Sequence, residues 1–476
     1  MSHFNPNLDR RRVLKAAAVS GLAGVPLLSQ RVHAQESVIN DFSQLNPVAV
    51  AKALRPHSVL DIQAALQQWP GHVSVGGGRF SMGGQIASPN TLHLDMRGMK
   101  KVVSFDPSRR VIRVEAGITW RDVQDTIDPH DLSVKIMQSY CNFTVGGSVS
   151  VNCHGRYVGR GPLINSVRAV QLVTANGQVL ELTRFSNAEI FRAVFGGYGG
   201  LGVVAEVELD LEQNARIERV VQEVALDGYP AFFRNHVLQS PQIVLHNADL
   251  IPPNFDSPKA ISWMTTEKPL TEQARLVPRA LNYDLETNAI WAMTELPGGS
   301  GLRDNVINPL WLNKPAVVWR NREASLDATS LEPRTRKIST YLLQEYFIPV
   351  PRFMPFVRDM AAILRKHQVN TLNVSIRHSP ADANSLLAWA PVEVFAFVLY
   401  YKQRTSEQAS TEVRSWTQEL VDVALRNGGR YYLPYRLDAT REQFNRAYPE
   451  ISAFVDLKAR VDPNNRFRNL LWNKYL

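Results

Sequence analysis

Three glycine-rich stretches constrain the fold of this chain more than any other feature of its sequence. They lie at residues 73–85, 141–155 and 195–210, and each adjoins a strand-like or helix-like run. Glycine lets the backbone take positive φ and approach a ligand closely, so several N–H groups of such a turn can converge on one anion. The stretches therefore predict a backbone cradle of the kind that suits a pyrophosphate.

The two commonest glycine loops are not present in the sequence. It contains no G-x-x-x-x-G-K-[ST], and the first stretch cannot be placed as G-x-G-x-x-G opening a helix. For the first stretch alone, a flexible surface loop is the alternative interpretation. Three turns at element boundaries, one of them with five glycines in the seven residues 196–202, favour a cofactor site.

The remaining patterns predict an α+β fold. Apolar residues at Val59, Ile62 and Leu66 have helical spacing, and a second helix is expected over 119–127 with Thr119 as its cap. Strand-like runs follow the period-two pattern at 91–95, 101–105, 110–116, 220–226 and 242–250. An amphipathic helix is expected over 355–366. The glycines thin out after about residue 215, and a length of 476 residues favours two domains.

The first 34 residues predict an export signal. Arg10, Arg11 and Arg12 precede an apolar run over 16–28 and a small-x-small-like site at 32–34. Paired arginines indicate the twin-arginine export machinery, which carries folded proteins, often with a cofactor bound. The apolar run is well short of the roughly 20 residues that a spanning helix needs. We expect a cleaved signal, a periplasmic or otherwise exported protein, and no stable membrane anchor.

Charge and cysteine content narrow the function classes. The first 34 residues hold five basic side chains and one acidic side chain, a net +4 of the formal +9, which leaves +5 for the rest. This charge is spread without long basic runs, so a nucleic-acid partner is not expected. Cys141 and Cys153 are the only cysteines and do not form a C-x-x-C motif. Neither a disulfide framework nor a structural metal site is expected.

A series of motifs carries a family resemblance that covers nearly all of the chain after the signal. They lie at 75–81, 95–100, 114–120, 144–147, 154–155, 173–177, 195–202 and 462–469. In this order they resemble the FAD-linked oxidoreductases of the vanillyl-alcohol oxidase / p-cresol methylhydroxylase family. The stretch 344–349 is similar to a cap strand of the sugar-lactone and alditol oxidases and of decaprenylphosphoryl-ribose oxidase.

The resemblance implies a two-part FAD-binding domain and an α+β cap over the substrate. After the signal at 1–34, the FAD-binding domain would span 35–214 and the cap domain 215–436. A C-terminal segment, 437–476, would return to the FAD-binding domain. By position, the implied FAD-binding residues are Gly76, Gly77, Gly78, Arg79, Phe80, Ser81, Thr144, Gly146, Gly147, Ser148, Gly197, Gly202 and Val204.

The residue at position 80 bears on how FAD is held. Many members of the family carry a histidine there and bond it covalently to the flavin, whereas this chain has Phe80. The resemblance therefore implies non-covalent FAD. Cys141 lies near the cysteine that the berberine-bridge branch uses for a covalent link. A link through Cys141, or a pairing of Cys141 with Cys153, is the alternative.

The resemblance also implies candidate catalytic residues. Arg377 matches an arginine of a cap strand, where a permanent cation can stabilise negative charge on the reduced flavin. A structural ion pair of Arg377 with Glu345 is the alternative, and Glu345 is itself a candidate. Tyr432 matches a family tyrosine, and Tyr435 replaces a catalytic lysine. A phenol with a lowered pKa or the imidazole of His154 could accept the proton of a substrate hydroxyl. The alternative for His154 is a buried histidine hydrogen-bonded to backbone, and the alternative for Tyr435 is packing in an apolar pocket wall.

The function expected from these residues is oxidation of a CH–OH group by FAD. The substrate would be an alcohol, a sugar or a sugar acid, and reoxidation would be by O2 or by an electron carrier outside the cytoplasm. Two alternatives remain open. One is the reduction of a C=C bond by a reduced flavin on the same fold, and the other is a flavin-free binding protein that retains the fold.

Overall fold

The computed structural model describes residues 37–295, 314–333 and 335–476. The predicted signal at 1–34 lies outside these residues. Within them, the strands are Ser37–Ile39 (β1), Val48–Val50 (β2), Lys52–Leu54 (β3), Val73–Gly76 (β4), Leu92–Asp95 (β5), Val102–Asp106 (β6), Val111–Glu115 (β7), Leu132–Val134 (β8), Val167–Val173 (β9), Val179–Thr183 (β10), Val203–Gln213 (β11), Arg216–Glu223 (β12), Ile243–Leu250 (β13), Lys259–Thr265 (β14), Val317–Trp319 (β15), Ser339–Pro349 (β16), Thr371–Ser379 (β17), Val394–Arg404 (β18) and Arg430–Tyr431 (β19).

The helices confirm the sequence patterns where those patterns were strongest. They are Val59–Gln68 (α1), Trp120–Ile127 (α2), Val145–Val151 (α3), Ala188–Val194 (α4), Tyr229–Phe232 (α5), Asp284–Glu295 (α6), Arg320–Glu323 (α7), Phe353–Lys366 (α8), Glu407–Arg426 (α9), Arg441–Ala447 (α10), Ile451–Val461 (α11) and Leu470–Tyr475 (α12). At the start of α2 the Thr119 hydroxyl accepts from the backbone N–H of Asp122, as its capping role requires. Helix α8 buries the predicted apolar face through Phe356, Met360 and Leu364.

The first half of the chain builds two sheets around the glycine-rich turns. Strands β3, β5 and β4 form a parallel sheet in that order. An antiparallel sheet has the order β10-β9-β11-β7-β6, with β8 beside β11. The turn of residues 77–84 leaves β4, and the turn of residues 195–202 leads into β11. Both turns are thus placed by the ends of strands.

The second half builds an eight-stranded antiparallel sheet with the order β15-β12-β14-β13-β17-β18-β16-β19. All of these strands lie between Arg216 and Tyr431. Helices α8 and α9 pack against each other and against this sheet. Helices and sheets are combined in both halves, which confirms the α+β prediction.

The C-terminal segment closes the structure over the glycine-rich turns. The N–H of Val73 donates to the carbonyl of Arg466 at 2.7 Å, and the N–H of Arg468 donates to the carbonyl of Val73 at 2.9 Å. The buried Lys458 ammonium contacts Asp462 at 2.8 Å and the carbonyl of Gly200 at 2.7 Å. These bonds hold the third glycine turn at the side of the first.

Over 37–295, 314–333 and 335–476, no helix is long and apolar enough to cross a membrane. In the same part of the chain, no three His, Cys, Asp or Glu side chains are grouped so that they could hold a metal ion.

Candidate active site

A cavity of about 1590 Å³, including the space at its open mouth, is lined by both halves of the chain. One wall is formed by the glycine-rich turns. Other lining residues come from β16, β17 and β18 of the eight-stranded sheet.

The glycine wall has a shape that side chains would destroy. A Cβ atom on Gly77 would overlap the hydroxyl of Thr144, and one on Gly147 would lie 2.9 Å from the same oxygen. That hydroxyl accepts from the N–H of Gly78 at 3.1 Å and ties the first turn to the start of α3. Gly146 packs against Ala116, where a Cβ would come within 2.7 Å of the alanine methyl. The bare backbone of these residues therefore forms the cradle.

The cradle presents unused hydrogen-bond donors. The N–H groups of Arg79, Phe80 and Ser81 have no acceptor in the described part of the chain. Arg79 adopts φ 64°, and its Nε is buried without a partner there. An anion would satisfy such donors, and a pyrophosphate offers enough oxygens for several of them. The chemistry of this wall fits the phosphates of FAD.

The charge around the cradle is positive. Arg55, Arg79 and Arg97 all contact the carboxylate of Asp95, with Arg97 at 2.6 Å. Burial raises the pKa of Asp95, but the hydrogen bonds from Arg97 and Arg55 outweigh burial and hold the pKa well below its usual range. One carboxylate thus balances three guanidinium groups, and the remaining positive charge favours an anionic ligand.

Most of the predicted FAD-binding residues line the cavity. These are Gly77, Gly78, Arg79, Phe80, Ser81, Thr144, Gly146, Gly147, Ser148, Gly202 and Val204. Gly76 and Gly197 do not. A Cβ on Gly76 would come within 2.8 Å of the His93 ring, and Gly197 accepts from the indole N–H of Trp472 at 3.0 Å. Both serve close packing behind the cavity wall.

The structure offers no attachment point for a covalent flavin at the two predicted positions. Phe80 stacks on Phe143, with 4.1 Å between the ring centroids. Cys141 lies outside the cavity lining, and its thiol donates to the carbonyl of Ser325 at 3.3 Å. Burial raises the pKa of Cys141 to about 12, so the reactive thiolate is strongly disfavoured. Cys141 and Cys153 are both free thiols.

Antiparallel pairing brings the predicted catalytic residues to one face of the eight-stranded sheet. Glu345 of β16 pairs with Val398 of β18, which in turn pairs with Ser375 of β17. Side chains two residues apart on a strand share a face. Arg377 therefore points to the same side as Glu345, and both line the cavity.

His154 meets Glu345 at the end of α3. Its Nε2 lies 2.6 Å from Oε1 of Glu345, and the two side chains are only 3% and 2% exposed. The imidazole also packs against Trp389, with 4.7 Å between the ring centroids. Nδ1 of His154 has no partner among the described residues. The contact therefore holds the imidazole and the carboxylate together in a buried position at the cavity wall.

Tyr435 is placed as a donor to this pair. Its hydroxyl donates to Oε2 of Glu345 at 3.3 Å. Burial and the neighbouring Glu345 carboxylate raise the pKa of Tyr435 well above its usual value. The phenol with a lowered pKa that the sequence suggested is not found here, because a buried phenol beside a carboxylate keeps its proton. The hydroxyl of Tyr432 donates to the carbonyl of Val151 at 2.8 Å, and this bond fixes the ring.

Arg377 is a cation that lines the cavity. In the part of the chain that the structure describes it forms no ion pair, and its buried Nε has no hydrogen-bond partner. The alternative ion pair with Glu345 is not formed, because Glu345 is bonded to His154 and Tyr435 instead. The guanidinium remains available to negative charge inside the cavity.

Sequence reasoning missed a group of cavity residues. Four of them lie on the sheet, Tyr341 and Leu343 in β16 and Val398 and Tyr400 in β18, and Phe42, Tyr140 and Leu331 come from connecting segments. The period-two spacing of the four strand residues was a usable signal for one shared face, but it does not tell which face meets a ligand.

Comparisons with known proteins agree with this site. The family described as FAD binding domain matches residues 50–183, and the family described as D-arabinono-1,4-lactone oxidase matches residues 315–476. L-gulonolactone oxidase of Bos taurus is 24% identical over 425 residues, which is 87% of this chain and 92% of that protein. Decaprenylphosphoryl-beta-D-ribose oxidase of Mycolicibacterium smegmatis is 23% identical over 420 residues, covering 85% of this chain and 89% of that protein.

A third relative matches a shorter region. L-galactono-1,4-lactone dehydrogenase 1 of Oryza sativa subsp. japonica is 30% identical over 187 residues, which is 38% of this chain and 31% of that protein. The prediction of FAD as cofactor is confirmed, and the flavin-free binding protein is not supported. This chain belongs to the FAD-linked oxidoreductases of the vanillyl-alcohol oxidase / p-cresol methylhydroxylase family, within the branches that contain sugar-lactone oxidases and decaprenylphosphoryl-ribose oxidase.

Proposed function

We propose that this protein oxidises a CH–OH group of an alcohol or sugar-lactone-like substrate and that Glu345, coupled to His154, accepts the hydroxyl proton. The observation that carries the proposal is the buried 2.6 Å contact between these side chains at the cavity wall. The hydrogen bond to the imidazole fixes the position of the carboxylate, and a positioned carboxylate can act as a general base. The names of the relatives, which are lactone and ribose oxidases, support a CH–OH substrate.

Each group at the site has a separate role in the proposed reaction. FAD, when bound along the glycine wall, supplies an acceptor for the hydride of the carbinol carbon. The O–H proton passes to Glu345, and the electrons of the O–H bond form the new C=O bond. The Tyr435 hydroxyl, bonded to the same carboxylate, holds Glu345 in place. Arg377 supplies a fixed positive charge in the cavity, which favours the negative charge that hydride transfer brings into it.

The test is the visible spectrum of the holoprotein mixed anaerobically with candidate alcohols and sugar lactones. We expect a CH–OH substrate to bleach the flavin stoichiometrically, and O2 or an artificial electron acceptor to restore the colour. If no alcohol or lactone bleaches it but an activated C=C compound reoxidises the chemically reduced protein, the reaction runs in the opposite sense and the proposal is wrong.

We also infer that the protein is exported through the twin-arginine route. The three arginines at 10–12 and the short apolar run at 16–28 support this proposal. Replacing Arg11 and Arg12 together with lysine should retain the full-length protein in the cytoplasmic fraction, whereas the unmodified chain should reach the exported fraction in processed form. Equal distribution of the two proteins would contradict export by this route.

A further inference from the structure

The part of the cavity lining that lies on β16 and β18 is mainly apolar. Leu343 of β16 pairs with Tyr400 of β18, and Val398 stands one pleat further along the same face, opposite Glu345. Leu331 and Tyr341 extend the lining on the far side from Glu345. These residues form one continuous surface, which we call the apolar wall.

The two tyrosines of the apolar wall do not offer their hydroxyl groups to the cavity. The Tyr341 hydroxyl is paired with Oγ1 of Thr294 at 2.5 Å, and the Tyr400 hydroxyl donates to the carbonyl of Leu331 at 3.1 Å. Both hydroxyls are therefore already satisfied by protein atoms, so the rings supply apolar surface.

Polar groups gather at the other end of this face. Glu345, Tyr435 and Arg377 lie there, and Tyr140 interacts electrostatically with Arg377. Of these, Arg377 retains an unsatisfied Nε within the described residues. The space between the apolar wall and these polar groups, which we call the compartment, thus has one polar end and one apolar side.

We propose that the substrate is an amphipathic alcohol, whose CH–OH group lies at Glu345 and whose alkyl or aryl body lies on the apolar wall. This inference rests on the proposed function and names its substrate class. A bare sugar lactone carries several hydroxyl groups, and those that met the apolar wall would lose their hydrogen bonds to water without replacement. An alkyl or aryl body gains from the same burial.

Binding of tertiary alcohols to the FAD-loaded protein separates this inference from the proposed reaction. A dimethyl alkyl carbinol has no hydrogen on its carbinol carbon, so it cannot be oxidised but can occupy the compartment. We expect the Kd, measured by isothermal titration calorimetry, to fall roughly fourfold for each methylene added as the alkyl arm grows from methyl to hexyl. A Kd independent of arm length, or tighter binding of L-gulono-1,4-lactone than of the hexyl compound, would overturn the inference.

Variants of the wall sharpen the test. Val398→Thr replaces a methyl group by a hydroxyl at nearly constant volume and should weaken binding of the hexyl compound about threefold to tenfold. Leu343→Asn should do so more strongly. Ile338→Thr is the matched control, because Ile338 is exposed and lies outside the cavity lining. Unchanged binding of the hexyl compound to folded Val398→Thr protein would contradict the inferred substrate class, even if alcohols bleach the flavin. Binding that depends on chain length, without bleaching by any alcohol, would reject the proposed oxidation and leave the inferred binding of an apolar body standing.

Discussion

Replacing Glu345 with glutamine is expected to slow substrate-driven flavin reduction by about 10²–10⁴-fold, the usual contribution of a general base. Glutamine keeps the size of the side chain and can still contact His154 and Tyr435, but it cannot accept the hydroxyl proton. FAD content and substrate binding should stay close to those of the unmodified protein, because the glycine wall is separate from Glu345. The measurement is single-turnover flavin bleaching by stopped flow at saturating substrate.

A second His–Glu pair provides the control for this variant. His378 Nε2 contacts Glu393 at 2.8 Å, and neither residue lines the cavity. Glu393→Gln should therefore leave the rate of flavin reduction unchanged while making the same chemical replacement. A Glu345→Gln protein that reduces its flavin at the unmodified rate would remove Glu345 from the proton transfer and leave His154 or a bound water as the acceptor.

Replacing Gly77 with alanine is expected to abolish tight FAD binding. The added methyl group would overlap the Thr144 hydroxyl, which is buried and bonded to the N–H of Gly78. The turn must then move away from α3. The N–H groups that follow Gly77 then no longer point toward the same ligand. The ratio of flavin to purified protein, read from the visible spectrum after acid precipitation, measures the effect. The unmodified protein should release yellow flavin into the supernatant, because neither Phe80 nor Cys141 can hold it covalently.

Two further variants make the Gly77 prediction decisive. Gly228→Ala is the control, because a Cβ there meets nothing closer than the Ala225 carbonyl at 3.5 Å, outside the cavity. Adding Thr144→Ala to Gly77→Ala removes the oxygen that the new methyl group meets, and should restore part of the flavin content. Full flavin occupancy in the single Gly77→Ala variant would show that this turn does not need its bare backbone to bind FAD.

Much of this protein could be predicted from local sequence. Glycine stretches adjoining strands predicted the cradle, because only residues without a Cβ allow such close approach of backbone to ligand. The cap at Thr119 and the apolar face of α8 were predictable, because both depend on neighbours within a turn or two of helix. The motif order also predicted the family and FAD, which the comparisons confirm.

Long-range pairing decided the rest. His154 and Glu345 are 191 residues apart in the chain, and they meet because α3 ends beside β16. No periodicity encodes that contact. The pKa of Tyr435 is raised and the Nε of Arg377 has no hydrogen-bond partner among the described residues, since both depend on what surrounds them after folding. The sequence by itself thus determined the cofactor cradle, which local backbone geometry builds. Only the tertiary structure decided the contact of Glu345 with His154, which we propose as the proton acceptor, and the apolar wall, since both are assembled from strands and helices distant in the chain.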